Sequence, residues 1–227
     1  SSTGVGSIDS VGSVSTDAGF SILTWTVPAS GSATVAHGLG KVPKMIISKS
    51  RSNATDWEVY HHKTGNANTN QLNTNAAAND NNAYNDTDPT SSVFSVTAPG
   101  FGANRTMVSY CFAEVKGYSK FGSYASNSNA DGPFVYLGFR PAFVMVKCTT
   151  AAESWGIVDN KNSPINLASV VVVNANTNSA GGGAEIDLLS NGFKLTAVSG
   201  QFNKSGSHTY IYMAFAESPF VNSSGIP

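Results

Sequence analysis

The side chains able to do chemistry are few and scattered. The four histidines are His37, His61, His62 and His208, and the obvious candidates for a catalytic carboxylate outside the repeat core are Glu58, Asp86, Asp88 and Glu153. Hydrolysis needs a nucleophile, a base and a group that orients the base. None of the local signatures of such a set is present: no G-x-S-x-G, no H-E-x-x-H, no Walker A loop and no Rossmann glycine pattern. A carboxylate pair drawn from those four acids suits a glycosidase, which keeps polysaccharide hydrolysis as a third alternative. The expectation is a chain with no catalytic residues.

The densest collection of polar ligands lies in one long segment from about Lys63 to Ser92, which includes Asn79-Asp80-Asn81-Asn82-Ala83-Tyr84-Asn85-Asp86-Thr87-Asp88-Pro89. Loops of this length are either functional or disordered. Carboxylate and amide oxygens so closely set suit Ca²⁺, but their spacing does not match an EF-hand loop. The segment therefore reads as an amide-rich recognition surface, with a plain solvated loop as the alternative. The candidate ligand-binding residues are Tyr60, His62, Asn82, Tyr84, Asp86 and Asp88, with no metal site and no cofactor, Ca²⁺ being the alternative.

What positions these residues is a duplication. Leu39-Gly40-Lys41-Val42-Pro43-Lys44-Met45-Ile46-Ile47-Ser48-Lys49 matches Leu137-Gly138-Phe139-Arg140-Pro141-Ala142-Phe143-Val144-Met145-Val146-Lys147 without a gap. The same register carries Trp57 onto Trp155 and Val59 onto Ile157. After a shift of one residue, Phe94-Ser95-Val96-Thr97-Ala98 matches Phe193-Lys194-Leu195-Thr196-Ala197. Both copies close alike, Thr106 to Glu114 aligning with Thr209 to Glu217, and Gly19 to Trp25 corresponds to Tyr118 to Tyr124. Self-similarity at a fixed period defines the unit. The expected organisation is a linker or stem over 1–18, one unit over 19–117, a second over 118–220 and a tail over 221–227.

The matched segments are short, rich in Val, Ile, Phe, Tyr and Thr, and bounded by Gly, Pro, Asn and Ser, which is the strand pattern. No segment keeps a 3.6-residue apolar period with caps. The fold class is therefore all-β: two tandem homologous β-sandwich units, jelly-roll-like, with little or no helix and five or six strands each. Met45-Ile46-Ile47 and Phe143-Val144-Met145-Val146 are apolar on both faces and read as central strands. Alternation places Trp57, Val59 and His61 on a core face, with Tyr60 and His62 outward beside the long loop. Glu114 and Glu217 read as strand-terminal residues that cap backbone or pair with Lys or Arg. Cys111 and Cys148 sit in apolar runs and read as buried free thiols, one bridge being the alternative.

Composition excludes several classes. Charged residues are 12% and hydrophobic residues 41%, with a formal net charge of −1 and a pI of about 6.4. The 13 basic residues form no run, so a nucleic-acid partner is not expected. No apolar stretch is long enough for a membrane span, and no signal-peptide pattern opens the chain. The start at Ser1-Ser2-Thr3-Gly4 predicts a fragment or the processed end of a longer protein.

Gly19-Phe20-Ser21-Ile22, His37 to Ile47, Tyr110-Cys111-Phe112-Ala113-Glu114-Val115-Lys116-Gly117-Tyr118-Ser119-Lys120-Phe121-Gly122 and Asp131-Gly132-Pro133-Phe134-Val135-Tyr136 together resemble a phage-encoded domain of uncharacterised function. That domain recurs in structural proteins of marine and environmental tailed phages, often after a lectin-like sandwich domain. The resemblance covers about 19–220. It implies a bacteriophage virion surface protein, made in the bacterial host cytoplasm, with other virion proteins as partners in a homo-oligomer such as a trimer. On this reading the chain is a tail fibre or receptor-binding module that attaches to a host cell-surface glycan or protein. The alternative is a capsid decoration or tail-assembly protein.

Overall fold

The computed structural model describes residues 5–162, 170–178, 182–184 and 186–219. Strand makes up 46% of the chain and helix 4%, so its layers are sheets. The chain forms two compact units, Ser1–Leu72 with Ala78–Glu114, and Asn73–Ala77 with Val115–Pro227. The expected tail over 221–227 lies outside the described residues.

The first unit runs β1 (Ser10–Ser15), β2 (Phe20–Thr26), β3 (Ser32–Ala36), β4 (Pro43–Ser50), β5 (Glu58–His61), β6 (Asn70–Gln71), β7 (Val93–Thr97), one helical turn α1 (Ala98–Phe101) and β8 (Thr106–Ala113). Its larger sheet has the order β1-β2-β8-β4-β5-β6, and β3 pairs with β7 in a smaller one. Both are antiparallel. Leu23, Trp25, Ile46, Tyr60 and Cys111 from the larger sheet meet Ala33, Val35, Phe94 and Val96 from the smaller in one core. That is a β-sandwich.

The second unit repeats the plan with β9 (Ser119–Ala125), β10 (Phe134–Tyr136), β11 (Pro141–Cys148), β12 (Gly156–Asp159), β13 (Val170–Asn174), β14 (Gly182–Ala184), β15 (Ile186–Leu189), β16 (Gly192–Leu195), one helical turn α2 (Gly200–Asn203) and β17 (Thr209–Ala216). Its sheets are β14-β13-β12-β11-β17-β9 and β10-β16-β15. The order β6-β5-β4-β8-β2 in one unit is matched by β13-β12-β11-β17-β9 in the other. Each unit carries more strands than the five or six that the apolar runs suggest, because the short ladders β6, β10 and β14 bury too few apolar residues to stand out.

Details of the duplication follow from residue chemistry. Gly40 and Gly138 both hold positive φ, 68° and 85°, a conformation that glycine adopts without steric cost. Pro43 and Pro141 open the two central strands, and the ladder slips a residue between Pro43 and Met45 and again between Pro141 and Phe143. Proline brings no N–H, so a regular ladder cannot begin on it. Met45, Ile46, Val144, Met145 and Val146 are all buried. A lysine is also kept: Lys49 Nζ donates to Thr55 O, and Lys147 Nζ donates to Glu153 O at 2.7 Å. Glu217 pairs with Arg140 at 3.2 Å and accepts from Asn160 Nδ2 at 2.7 Å, a strand-end tether. Cys111 and Cys148 are buried free thiols, and burial pushes the Cys111 thiol up to about 12.

Two expectations are corrected. The described part of 1–18 is not a free linker. Residues 10–15 are β1, in register with β2 from Ser10↔Trp25 to Ser15↔Phe20, while Ser7 and Thr34 exchange backbone and hydroxyl bonds of 2.8–2.9 Å. β1 is exposed along nearly its whole length, so the backbone ladder holds it rather than apolar burial. Tyr60 does not face outward. It is 2% exposed and belongs to the core. Every residue of β5 is buried, so alternation along that strand separates two covered faces rather than a core face from a wet one.

The ladder of β1 depends on Gly12, since a Cβ there would lie 1.8 Å from Ile22 O. Gly12→Val should detach β1 and lower stability by about 1–3 kcal/mol, the range for overpacking. Amide exchange at 10–15 then speeds up while the β4–β8 ladder stays protected. Unchanged protection at 10–15 would show that the strand tolerates the side chain.

Candidate functional site

The segment expected to bind a ligand is mostly architecture. Tyr84, 1% exposed, points its ring into the core against Phe101 at 5.3 Å, Tyr60 at 5.7 Å and Phe94 at 6.4 Å. Its hydroxyl lies within reach of Ser48 Oγ (3.1 Å), Glu58 O (3.2 Å) and Ile46 O (3.4 Å). Burial pushes its pKa well above the usual value. Tyr60 donates to Asp88 Oδ1 at 3.3 Å, and burial together with that carboxylate holds its phenol protonated. Of the candidate ligand contacts, Tyr60 and Tyr84 have both hydroxyls engaged inside the fold.

The remaining candidates lie at the surface. Asn82, Asp86 and Asp88 are exposed and His62 is half-buried. Asn82 and Asp86 hold left-handed φ of 52° and 44°, as turn residues do. Asn82 O accepts from Thr97 Oγ1 at 2.7 Å, and the His62 ring lies 5.2 Å from that of His61. The structure joins Tyr60 to Asp88 and to Tyr84, but it does not assemble all six residues around one point.

Glu58 organises the loop beneath them. Its carboxylate accepts from Asn81 Nδ2 at 2.7 Å, Thr69 Oγ1 at 3.1 Å and Gln71 Nε2 at 3.3 Å. Burial raises its pKa, while those three bonds act the other way. Glu153 is ion-paired to Lys204 at 2.5 Å. So Glu58, Asp88 and Glu153 each have protein partners, and none is presented as half of a catalytic pair. Among the described residues no three His, Cys, Asp or Glu side chains converge as metal ligands.

An open cleft of about 600 Å³ lies elsewhere, along the edge where β1 runs beside β2. Thr24 and Thr26 of β2, Thr106 at the start of β8, Ser7, Asp9 and Arg51 line it together with Ile8, Val11 and Trp25, and the Trp25 ring itself is buried in the core behind it. The two ends of the ladder bring these together: Thr26 pairs with Thr106, and Arg51 N donates to Thr106 O at 2.7 Å. Trp25 is fixed by a 2.8 Å bond from its Nε1 to Ser109 Oγ and by an edge-on contact with Phe101 at 5.5 Å. Arg51 is exposed, and its guanidinium has no partner among the described residues. Such a cleft offers hydroxyl donors and acceptors, the forked cation of Arg51, the carboxylate of Asp9 and a small apolar patch from Ile8 and Val11.

Sequence reasoning missed this cleft because its residues come from four separate segments, one of which was read as linker. The threonines flanking Trp25 were the available signal, since they must share the strand face opposite to a buried tryptophan.

No curated protein and no solved structure matches the chain. A family described as "Domain of unknown function (DUF7483)" matches residues 1–219, nearly the whole length, and the chain belongs to that family.

Proposed function

We propose that this chain is a non-catalytic recognition module of a bacteriophage virion surface protein, in a tail fibre or receptor-binding position, and that the β1–β2 cleft takes a host cell-surface glycan. The observation that carries the reading is the cleft: threonine and serine hydroxyls around Arg51, whose guanidinium has no partner among the described residues, beside the exposed apolar side chain of Val11. Sugars present hydroxyls and apolar ring faces together, and an acidic sugar adds a carboxylate that a guanidinium grips at two points. The low charge of the chain, 12%, also suits a surface whose contacts change little with salt. The virion placement is supported by the resemblance of the repeated motifs to phage structural domains. Weak single-site affinity is then multiplied by display in several copies.

An array of acidic and neutral bacterial surface glycans, probed with the chain as an oligomeric fusion, tests this. Binding is expected to an acidic glycan, with a loss of tenfold or more in Arg51→Ala, worth about 1.4 kcal/mol. A flat array, or binding that Arg51→Ala leaves unaltered, sinks the cleft as the site. Release of reducing sugar from the bound glycan would turn the reading toward a hydrolase.

A further inference from the structure

The two units differ at one sheet edge, independently of the cleft. In the first unit residues 7–15 run along the outer side of the sandwich. β1 pairs with β2, Ser7 N and Ile8 N donate to Thr34 O, and Ser10 Oγ donates to Ala36 O at 2.8 Å. In the second unit β9 and β10 are terminal strands of their sheets among the described residues. The residues just before β9 cannot supply the missing strand. They are the end of β8 and the turn in which Val115 O already accepts from Tyr118 N and Ser119 N.

The side chains at this edge differ in a directed way. Val35 pairs with Phe94 and Val135 with Phe193, so Thr34 corresponds to Phe134 and Ala36 to Tyr136. The two small residues that hold residues 7–10 are thus replaced by aromatics that stand 46% and 60% exposed. Lys120 reaches across from β9, donating to Tyr136 O at 2.9 Å and lying 5.2 Å from the centre of its ring. It supplies the bond that Ser10 Oγ gives to Ala36 O in the first unit, and a lysine on a bare edge also blocks indiscriminate pairing.

We propose that the β9–β10 edge binds an extended strand rich in small Ser, Gly and Val residues from another polypeptide chain, as the first unit binds its own residues 10–15. The chemistry of the occupant is read from that intramolecular precedent. Main-chain bonds to β9 give affinity, and Phe134 and Tyr136 cover the small side chains. Lys120 swings aside as the strand arrives. Ile22 corresponds to Phe121, since their partners Tyr110 and Met213 each lie two residues before the equivalent Phe112 and Phe215. Gly12 has no room for a Cβ beside Ile22 O, so the incoming strand needs glycine where it crosses Phe121.

The probe is a fluorescent peptide with the sequence of residues 5–18, titrated into the full chain and followed by anisotropy and amide exchange. Saturable binding is expected, with exchange slowed at 119–125 and 134–136. A peptide carrying Gly12→Val should bind at least tenfold more weakly. So should the chain variants Ser123→Pro and, as a milder change away from the ladder, Phe134→Ser with Tyr136→Ser. No saturable binding overturns the proposal, as does protection confined to 20–26, which marks displacement of β1. A dimer of the unliganded chain that Ser123→Pro abolishes also overturns it, because the occupant is then a second β9.

Discussion

Tyr84→Ala is expected to lower the unfolding free energy by about 3–5 kcal/mol, the usual cost of emptying a buried aromatic site. The ring is enclosed by Tyr60, Phe94 and Phe101, none of which can follow it, since each belongs to a hydrogen-bonded element of its own. The loss goes further than a cavity. Tyr84 is where the long polar segment enters the core, next to Ala83, whose carbonyl accepts from Thr97 N at 3.1 Å. Tyr84→Phe keeps the ring and removes only the hydroxyl beside Ser48 Oγ and Glu58 O, so it should cost about 1–2 kcal/mol. Urea unfolding followed by near-ultraviolet circular dichroism separates the two. A loss below about 1 kcal/mol in Tyr84→Ala would remove the residue from the core.

Lys147 should contribute a gain in stability of about 2 kcal/mol between pH 7 and pH 9.5, opposed by the smaller loss from the buried Cys111 thiol. Its side chain is fully buried, and Nζ donates to Glu153 O at 2.7 Å and Asn75 O at 3.1 Å. Burial lowers its pKa from the ordinary 10.5 to about 8. Folding therefore favours the neutral amine relative to the unfolded chain, and above about pH 8 the neutral amine's two N–H groups serve the two carbonyls. For a group with a depressed folded pKa, the stabilisation is complete above the unfolded value and is lost as pH falls through the folded one. Unfolding midpoints of the native chain should climb over this interval relative to those of Lys147→Met, which lacks the gain and keeps the loss from Cys111. An identical climb in both proteins would assign the effect to other groups.

The duplicated scaffold was legible because duplication repeats constraint. Leu39 with Leu137, Gly40 with Gly138 and Pro43 with Pro141 mark a turn and a ladder slip that any sequence on this backbone must satisfy. β5 was misread for a physical reason. A period of two tells which residues share a face but not whether the opposite face is wet, and in Glu58–His61 it is not. Trp155 is 1% exposed, whereas its counterpart Trp57 is half-buried and stacked on Tyr110 at 6.4 Å, so even equivalent residues settled differently. β1 left no trace in the pattern: its valines, Val11 and Val14, do not alternate, and main-chain bonds need no side-chain signature. The cleft was hidden with it, since Ser7, Asp9 and Val11 form one of its sides.

The grouping of Asn73–Ala77 with the second unit bears on how the chain is made. A ribosome releases residues 73–77 before any strand of β9 to β17 exists, and β11, which carries Lys147, follows some seventy residues later. At a synthesis rate of about 5–20 residues per second, the carbonyl of Asn75 waits several seconds for its ammonium partner. The first sandwich can close its large sheet once β8 has emerged, with Tyr84 and Glu58 holding the rest of its longest loop, but residues 73–77 gain their partner only when β11 is made. A cut at the repeat boundary therefore separates two sequences without separating two finished folds.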